Sequence, residues 1–79
     1  MKAYHTLIID ADGSSDLPAR ILGVFSRRRM LPEYFSFSFP AGEVLRCVVE
    51  LKAPEEDVRK SILQIKKLIG VGAVRHIGN

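Results

Sequence analysis

The chain has 79 residues, of which 47% are hydrophobic and 27% charged, and its formal net charge is +3. This length allows one domain with a small core, and the single cysteine, Cys47, excludes a disulfide within the chain. One cysteine and two histidines also fall short of the four ligands of a structural zinc site. A small domain without a disulfide or a structural zinc site commonly gains stability from a partner subunit. The composition therefore favours a homodimer without a bound cofactor.

The amino-terminal residues 1–5 lack the basic segment and long apolar run of a secretory signal, and no stretch approaches membrane-spanning length. We therefore expect a cytoplasmic protein that does not contact a membrane. Basic residues outnumber acidic ones by only 12 to 9, and the concentrated run is Arg27, Arg28 and Arg29. Because cations favour the negative end of a helix dipole, we interpret this run as a helix terminus rather than a nucleic-acid patch.

The first predicted element is a strand over residues 3–9, where β-branched and aromatic side chains are frequent. It ends at a cluster of turn-forming residues, 10–16, that leads into a helix. Ser15 or Asp16 can cap this helix, and Pro18 fits its first turn because the missing N–H would have no partner there. The helix is therefore expected to begin near Asp16.

This first helix has one apolar face, because its apolar residues recur at intervals of three and four. They are Leu17, Ile21, Val24 and Phe25, with Leu22 beside them. The arginine run predicts that the helix ends near Arg29. Gly23 is costly in the middle of a helix, which predicts a close contact with a neighbouring element.

A second strand is predicted over residues 34–39, where three phenylalanines alternate with tyrosine and serine. They are Phe35, Phe37 and Phe39, and they share one face of the strand, either towards the helices or away from them. Residues 40–42 have turn chemistry, and residues 43–51 form a third strand that begins immediately afterwards. The second and third strands are expected to pair as an antiparallel hairpin.

A second helix opens at Pro54, and its first turn carries three carboxylates that complement the helix dipole. Its apolar stripe is predicted to consist of Val58, Ile62, Ile65 and Ile69, with Ser61 and Leu68 beside it. Gly70 suits the left-handed residue that terminates a helix, and residues 71–77 form a short last strand.

The order strand, helix, strand, strand, helix, strand predicts an α+β, ferredoxin-like βαββαβ fold. Right-handed crossovers give a four-stranded antiparallel sheet with both helices on one face. Ile8, Val44 and Val48 then give the uncovered face apolar surface, which is typical of an interaction surface. His5 and His76 are expected on the outer strands, in packing or surface roles.

The residues show no recognisable catalytic pair. Cys47 lies in an apolar strand, where burial raises the pKa of a thiol and makes it a poor nucleophile. No phosphate-binding loop, dinucleotide fingerprint or Cys-x-x-Cys metal loop is present. We therefore expect a binding module and not an enzyme.

RNA-recognition domains share this element order, so an RNA-binding module is one alternative. Those domains place stacking aromatic residues on the first and third strands. Here the third strand has no aromatic residue, and Tyr4 is alone on the first. A scaffold subunit that binds no ligand is a further alternative.

Residues 20–28, Arg-Ile-Leu-Gly-Val-Phe-Ser-Arg-Arg, follow a Gly/Ser/Asp loop and a first strand. This arrangement resembles the first helix of the ACT domain, and it is most similar to the small regulatory subunit of acetolactate (acetohydroxyacid) synthase. The family's Phe-Ser-Gln-Arg falls on residues 25–28. Arg29 stands at the family's next residue, a glycine, and residues 13–16 replace its ligand-binding Asn-x-Pro-Gly.

The resemblance implies a single ACT-like domain over residues 1–79. Its expected function is that of a regulatory, amino-acid-binding or accessory small subunit of a biosynthetic enzyme. The resemblance favours acetolactate synthase, and hence allosteric control of branched-chain amino-acid synthesis, as that setting. It also implies dimers that join sheets edge to edge, and a catalytic subunit as partner.

The effector site that the resemblance implies consists of Asp12, Gly13, Ser14, Ser15, Asp16 and Leu17. Backbone N–H groups at a helix amino terminus can hold the carboxylate of a small ligand, and Asp12 or Asp16 could receive its ammonium group. The same serines and aspartates could instead serve only to cap the helix. The sequence leaves both interpretations open.

Overall fold

The computed structural model describes residues 2–13 and 16–78. Its elements are strand β1 (Lys2–Ala11), helix α1 (Leu17–Arg27), strand β2 (Tyr34–Ala41), strand β3 (Val44–Pro54), helix α2 (Glu55–Lys66) and strand β4 (Val71–Gly78). The strands form one antiparallel sheet in the order β2-β3-β1-β4, with both helices on one face. The predicted ferredoxin-like fold is confirmed. Neither described helix is long and apolar enough to span a lipid bilayer.

The core lies between the sheet and the helices. Opposite residues in an antiparallel pair share a face, so Leu7 with Val49 and Ile9 with Cys47 point the same way. The odd-numbered residues 5–11 of β1 and 45–53 of β3 are buried under the helices, and even-numbered residues lie on the open face. The buried hydrophobic residues are Leu7, Ile9, Ala11, Leu17, Ile21, Val24, Phe25, Leu45, Cys47, Val49, Leu51, Ala53, Val58 and Ile65. Burial raises the pKa of the Cys47 thiol, as expected from the sequence.

The side of the phenylalanines, which the sequence left open, is decided by strand pairing. Phe35 lies opposite Val49 and Phe37 opposite Cys47, so both lie on the helix-covered face. Because β2 is an edge strand, Phe37 still has 56% of its surface exposed. A register shift follows Ser38, and Phe39 beyond it is exposed.

The open face of the sheet carries charge as well as the expected apolar residues. Ile8 and Val48 are half-buried there, and Val44 is exposed. Arg46 binds Asp10 through two hydrogen bonds, Nε to Oδ1 at 2.8 Å and Nη2 to Oδ2 at 3.3 Å, and this contact lowers the pKa of the Asp10 carboxyl. The apolar surface is therefore interrupted by a bidentate ion pair.

Three local expectations are wrong. His5 lies on β1, which is an inner strand of the sheet and not an outer one. A side-chain carbon added at Gly23 would meet nothing within 4 Å, so close packing does not explain this glycine. Helix α2 ends at Lys66, so Ile69 falls in the following turn, with 86% of its surface exposed, and is not part of the helical stripe.

Helix α1 ends two residues earlier than expected, in a Schellman motif. The N–H of Met30 donates to the carbonyl of Phe25 at 2.9 Å, and the N–H of Arg29 donates to that of Ser26 at 3.0 Å. This motif requires a left-handed residue, and Arg29 takes that position with φ 57°. A non-glycine residue is strained there because its Cβ approaches the following carbonyl oxygen.

We expect Arg29→Gly to stabilise the fold by about 1 kcal/mol, since it removes this steric strain while keeping both hydrogen bonds. Urea denaturation monitored by circular dichroism measures the change. The matched control is Arg27→Gly, which places glycine inside the helix and should destabilise by about 0.5–1 kcal/mol. Two variants that both lose stability would show that Arg29 is not strained.

Candidate functional site

The loop after β1 begins at Asp12, which is hydrogen-bonded to the turn before β4. Its backbone N–H donates to the carbonyl of Gly70 at 2.9 Å. Gly70 has φ +99°, and a Cβ built on it would lie 2.8 Å from Oδ1 of Asp12. Only glycine combines this conformation with such a close approach. The Asp12 carboxylate is therefore held beside the end of the loop that leads into β4.

The next residue, Gly13, packs on the β2–β3 turn. A Cβ at Gly13 would lie 2.8 Å from the backbone oxygen of Glu43 and 3.4 Å from Cε1 of Phe39. The β1–β3 pairing produces this contact, because Ala11 lies opposite Leu45 and the end of β1 therefore meets the start of β3. The loop and the turn therefore form two walls of one cavity.

Between these walls lies an open cavity of about 410 Å³, lined by Asp12, Gly13, Phe39, Gly42 and Glu43. Its walls combine two acidic residues with one aromatic residue. Such a lining suits a small ligand that carries an ammonium group and an apolar portion.

The start of α1 lies at the other end of the loop. Asp16 occupies the N-cap position with φ −94° and ψ −6°, and it makes no capping hydrogen bond. A capping side chain normally requires extended backbone at this residue, which explains the difference from the sequence expectation. Its carboxylate instead lies 3.3 Å from Nε of Arg20. The Asp16 side chain therefore does not accept a hydrogen bond from the first-turn N–H groups of α1, as the sequence had predicted it could.

The structure brings together only part of the predicted site. Asp12 and Gly13 line the cavity, while Asp16 stands at the helix start. The Leu17 side chain is 1% exposed within the core, so Leu17 could serve a ligand only through its backbone N–H. Ser14 and Ser15 lie outside the described residues.

Sequence reasoning missed three lining residues, Phe39, Gly42 and Glu43. A signal for them was present, because a ferredoxin-like order pairs the first and third strands antiparallel. The turn before the third strand must then lie beside the loop after the first. The alternation within residues 34–39 does not reveal this neighbour, since it depends on pairing between distant segments.

The described residues offer little for metal or covalent chemistry. Within residues 2–13 and 16–78, no group of three His, Cys, Asp or Glu side chains could hold a metal ion. Cys47 is buried in the core with its thiol pKa raised, which disfavours the reactive thiolate. The groups that line the cavity at the β1–α1 loop can contact a ligand through charge and apolar surface.

The sequence matches no protein-family model and no curated relative. A solved structure, the ACT domain of the GTP pyrophosphokinase of Chlorobium tepidum, superposes with a TM-score of 0.84 over 98% of this chain and 100% of that chain, at 13% identity. The fold is that of an ACT domain.

Two further solved structures contain a similar fold over part of their length. A homoserine dehydrogenase from Thiobacillus denitrificans matches with a TM-score of 0.80 and 18% identity, over 99% of this chain and 17% of that chain. The acetolactate synthase small subunit of Thermotoga maritima matches with a TM-score of 0.78 and 16% identity, over 92% of this chain and 46% of that chain. At these identities the comparisons establish the fold alone.

We expect Gly13→Ala to destabilise the ACT fold by about 1–3 kcal/mol, because the added methyl group meets a backbone oxygen that cannot move without shifting the β2–β3 turn. Gly23→Ala is the matched control: it adds the same methyl group in open space within a helix and should stabilise by about 0.5–1 kcal/mol. Urea denaturation of both variants decides. Unchanged stability of Gly13→Ala would mean that the loop does not pack on the turn.

Proposed function

We propose that this protein is a regulatory ACT domain that binds a small amino acid at the β1–α1 loop and controls a separate catalytic subunit. The observation that carries the proposal is the cavity that this loop forms with the β2–β3 turn. Short-range similarity at residues 25–28 favours acetolactate synthase as the catalytic partner, with branched-chain amino acids as effectors. On this proposal the chain itself is not an enzyme.

The cavity chemistry supports a zwitterionic ligand. An ammonium group is attracted by the carboxylates of Asp12 and Glu43, and an apolar side chain can pack on the ring of Phe39. The ligand carboxylate would bind the backbone N–H groups where the loop enters α1, at the positive end of the helix dipole. On this proposal the two charged groups of one ligand would contact opposite ends of the same short loop.

The structural neighbours support a regulatory setting. Their ACT folds come from a GTP pyrophosphokinase, a homoserine dehydrogenase and an acetolactate synthase small subunit. The fold therefore occurs as a domain of larger enzymes and in a subunit of a synthase. The present chain, which lacks a recognisable catalytic pair, fits a similar accessory role.

The open face gives the RNA-binding alternative little support. Phe35 and Phe37 lie on the helix side. The open face presents Tyr34 on the edge strand and Tyr4, which has the ammonium of Lys52 5.5 Å from its ring centre. Arg46 there is bound to Asp10. The available aromatic and cationic groups are thus partly engaged with the protein itself.

We expect valine, leucine or isoleucine to shift the backbone amide resonances of Asp12, Gly13, Leu17, Gly42 and Glu43 when titrated in an NMR experiment. Glu43→Gln should weaken binding by about 10-fold or more, because it removes a charge-assisted contact with the ammonium group. Glu50→Gln, an acidic residue of β3 outside the cavity, is the control and should leave the affinity unchanged.

Saturating titration of all three amino acids without shifts in the loop would overturn effector binding and favour the scaffold alternative. Shifts confined to the open face, seen only with a single-stranded RNA oligonucleotide, would favour the RNA alternative.

We also propose a homodimer that forms along the β2 edge. Residues 34–41 contain no charged side chain, although edge strands that avoid pairing usually carry one. A cavity of about 400 Å³ beside this edge is lined by Pro18, Ala19, Leu22, Phe35 and Phe37. Exposed apolar surface next to an uncharged edge favours strand pairing with a second copy.

We expect Phe37→Asp to convert the dimer to a monomer, because it places a charge on the proposed contact. Leu63→Asp is the control, since Leu63 is a comparably exposed apolar residue, 49% accessible, on α2. Sedimentation velocity at micromolar concentration distinguishes the species. A wild-type monomer, or equal association of Phe37→Asp and wild type, would rule out this edge.

A further inference from the structure

A pair of hydrogen-bonded histidines joins the edge strand β4 to the inner strand β1. Nδ1 of His5 lies 2.8 Å from Nε2 of His76, and the ring centres are 5.0 Å apart. His5 is 3% exposed, whereas His76 is exposed on the edge strand. The second ring nitrogen of His5, Nε2, lies 3.2 Å from the backbone oxygen of Ala53, at the end of β3. The pair therefore connects three strands.

One carbonyl group fixes the protonation pattern of both rings. The oxygen of Ala53 can only accept, so Nε2 of His5 must carry the hydrogen. In a neutral His5, Nδ1 is then the acceptor, and His76 must donate through its own Nε2. Each ring is thus held in a single tautomer by the next group in the chain of hydrogen bonds.

This arrangement can take up one extra proton but not two. A proton added at Nδ1 of His76 leaves both hydrogen bonds intact, but it places a cation in a partly desolvated position beside the ring of His5, which the fold disfavours. A further proton at Nδ1 of His5 would place two N–H donors face to face and two cations on adjacent rings. The same two histidines in an unfolded chain can both be protonated, so acid opposes the folded arrangement.

The surroundings of the pair also disfavour a protonated His76 in the folded protein. A cavity of about 550 Å³ between β4 and α2 is lined by Glu55, Glu56, Arg59, Ile62 and His76. Burial lowers the pKa of His76, and the neighbouring His5 lowers it further, while Glu55 raises it in part. Glu56 is engaged by Arg59 at 2.7 Å, which lowers the pKa of that carboxyl and keeps it ionised.

We propose that His5 and His76 form a proton-sensitive clasp that holds the carboxyl-terminal half of β4 on the sheet at neutral pH and releases it in mild acid. Besides the clasp, this half of the strand is held by its backbone pairing with β1 on one side only, because β4 is an edge strand and the side chains of residues 75–78 are exposed. Its release uncovers the edge of β1 and opens the cavity beside α2. This device is independent of the effector site, which lies at the opposite end of β1.

The sign of the pH dependence follows from linkage. The pKa of His76 is lower in the fold than its ordinary value of 6.5. The stability that the clasp contributes is therefore fully present above pH 6.5, and it is lost as the pH falls towards the lowered pKa. Protonation competes with the folded arrangement only on the acid side of neutrality.

Amide hydrogen exchange between pH 7.5 and 5.0 tests the clasp, after correction for the intrinsic exchange rate. We expect protection of residues 75–78 to fall at least 10-fold relative to residues 47–51 of β3 over this range. Long-range ¹H–¹⁵N spectra at pH 7.5 should show His5 with hydrogen on Nε2 and none on Nδ1. Equal changes of protection in β4 and β3 across the range would overturn the proposal.

Two variants separate the clasp from general effects of acid. His76→Gln keeps an N–H donor for His5 but cannot titrate, so the relative protection of β4 should become independent of pH. Arg75→Gln removes a cation from the neighbouring position, on the open face of the same strand, and should keep the wild-type pH dependence. Persistence of the 10-fold change in His76→Gln would also overturn the proposal.

Discussion

The rest of the molecule depends on the register of β1 against β3, which runs from Lys2 opposite Pro54 to Ala11 opposite Leu45. Side chains alternate along each strand, so this one register sends Leu7, Ile9 and their partners to the helices. A slip of one residue would place Asp10 and Arg46 in the core instead. Burying that pair would require desolvating both charges, which opposes the alternative register.

The same register positions the cavity at the β1–α1 loop and the histidine pair at opposite ends of β1. At one end, the loop after Ala11 meets the β2–β3 turn and closes the cavity around Gly13. At the other end, His5 contacts the carbonyl of Ala53 on β3 and the ring of His76 on β4. The cavity proposed as the effector site and the histidine pair proposed as a clasp are thus two consequences of one strand pairing, and an inner strand gives both a rigid base.

Local strain accompanies this construction at Arg29, where the Schellman motif places a non-glycine residue at positive φ. Small domains tolerate such costs only when surrounding contacts fix the backbone. Here Phe25, a fully buried side chain, accepts one of the two terminating hydrogen bonds through its carbonyl group. The core under α1 therefore holds the helix end in place, and the linker to β2 starts from a fixed position.

The sequence alone determined the order of the elements, the buried face of α1 and the burial of Cys47, because each depends on periodicity within one short segment. Tertiary structure alone decided which way Phe35 and Phe37 point, that Phe39 and Glu43 join the loop at Asp12, and that His5 bonds to His76, 71 positions away. These facts depend on the register between distant strands. Register is set by the packing of the whole core, which no single segment encodes.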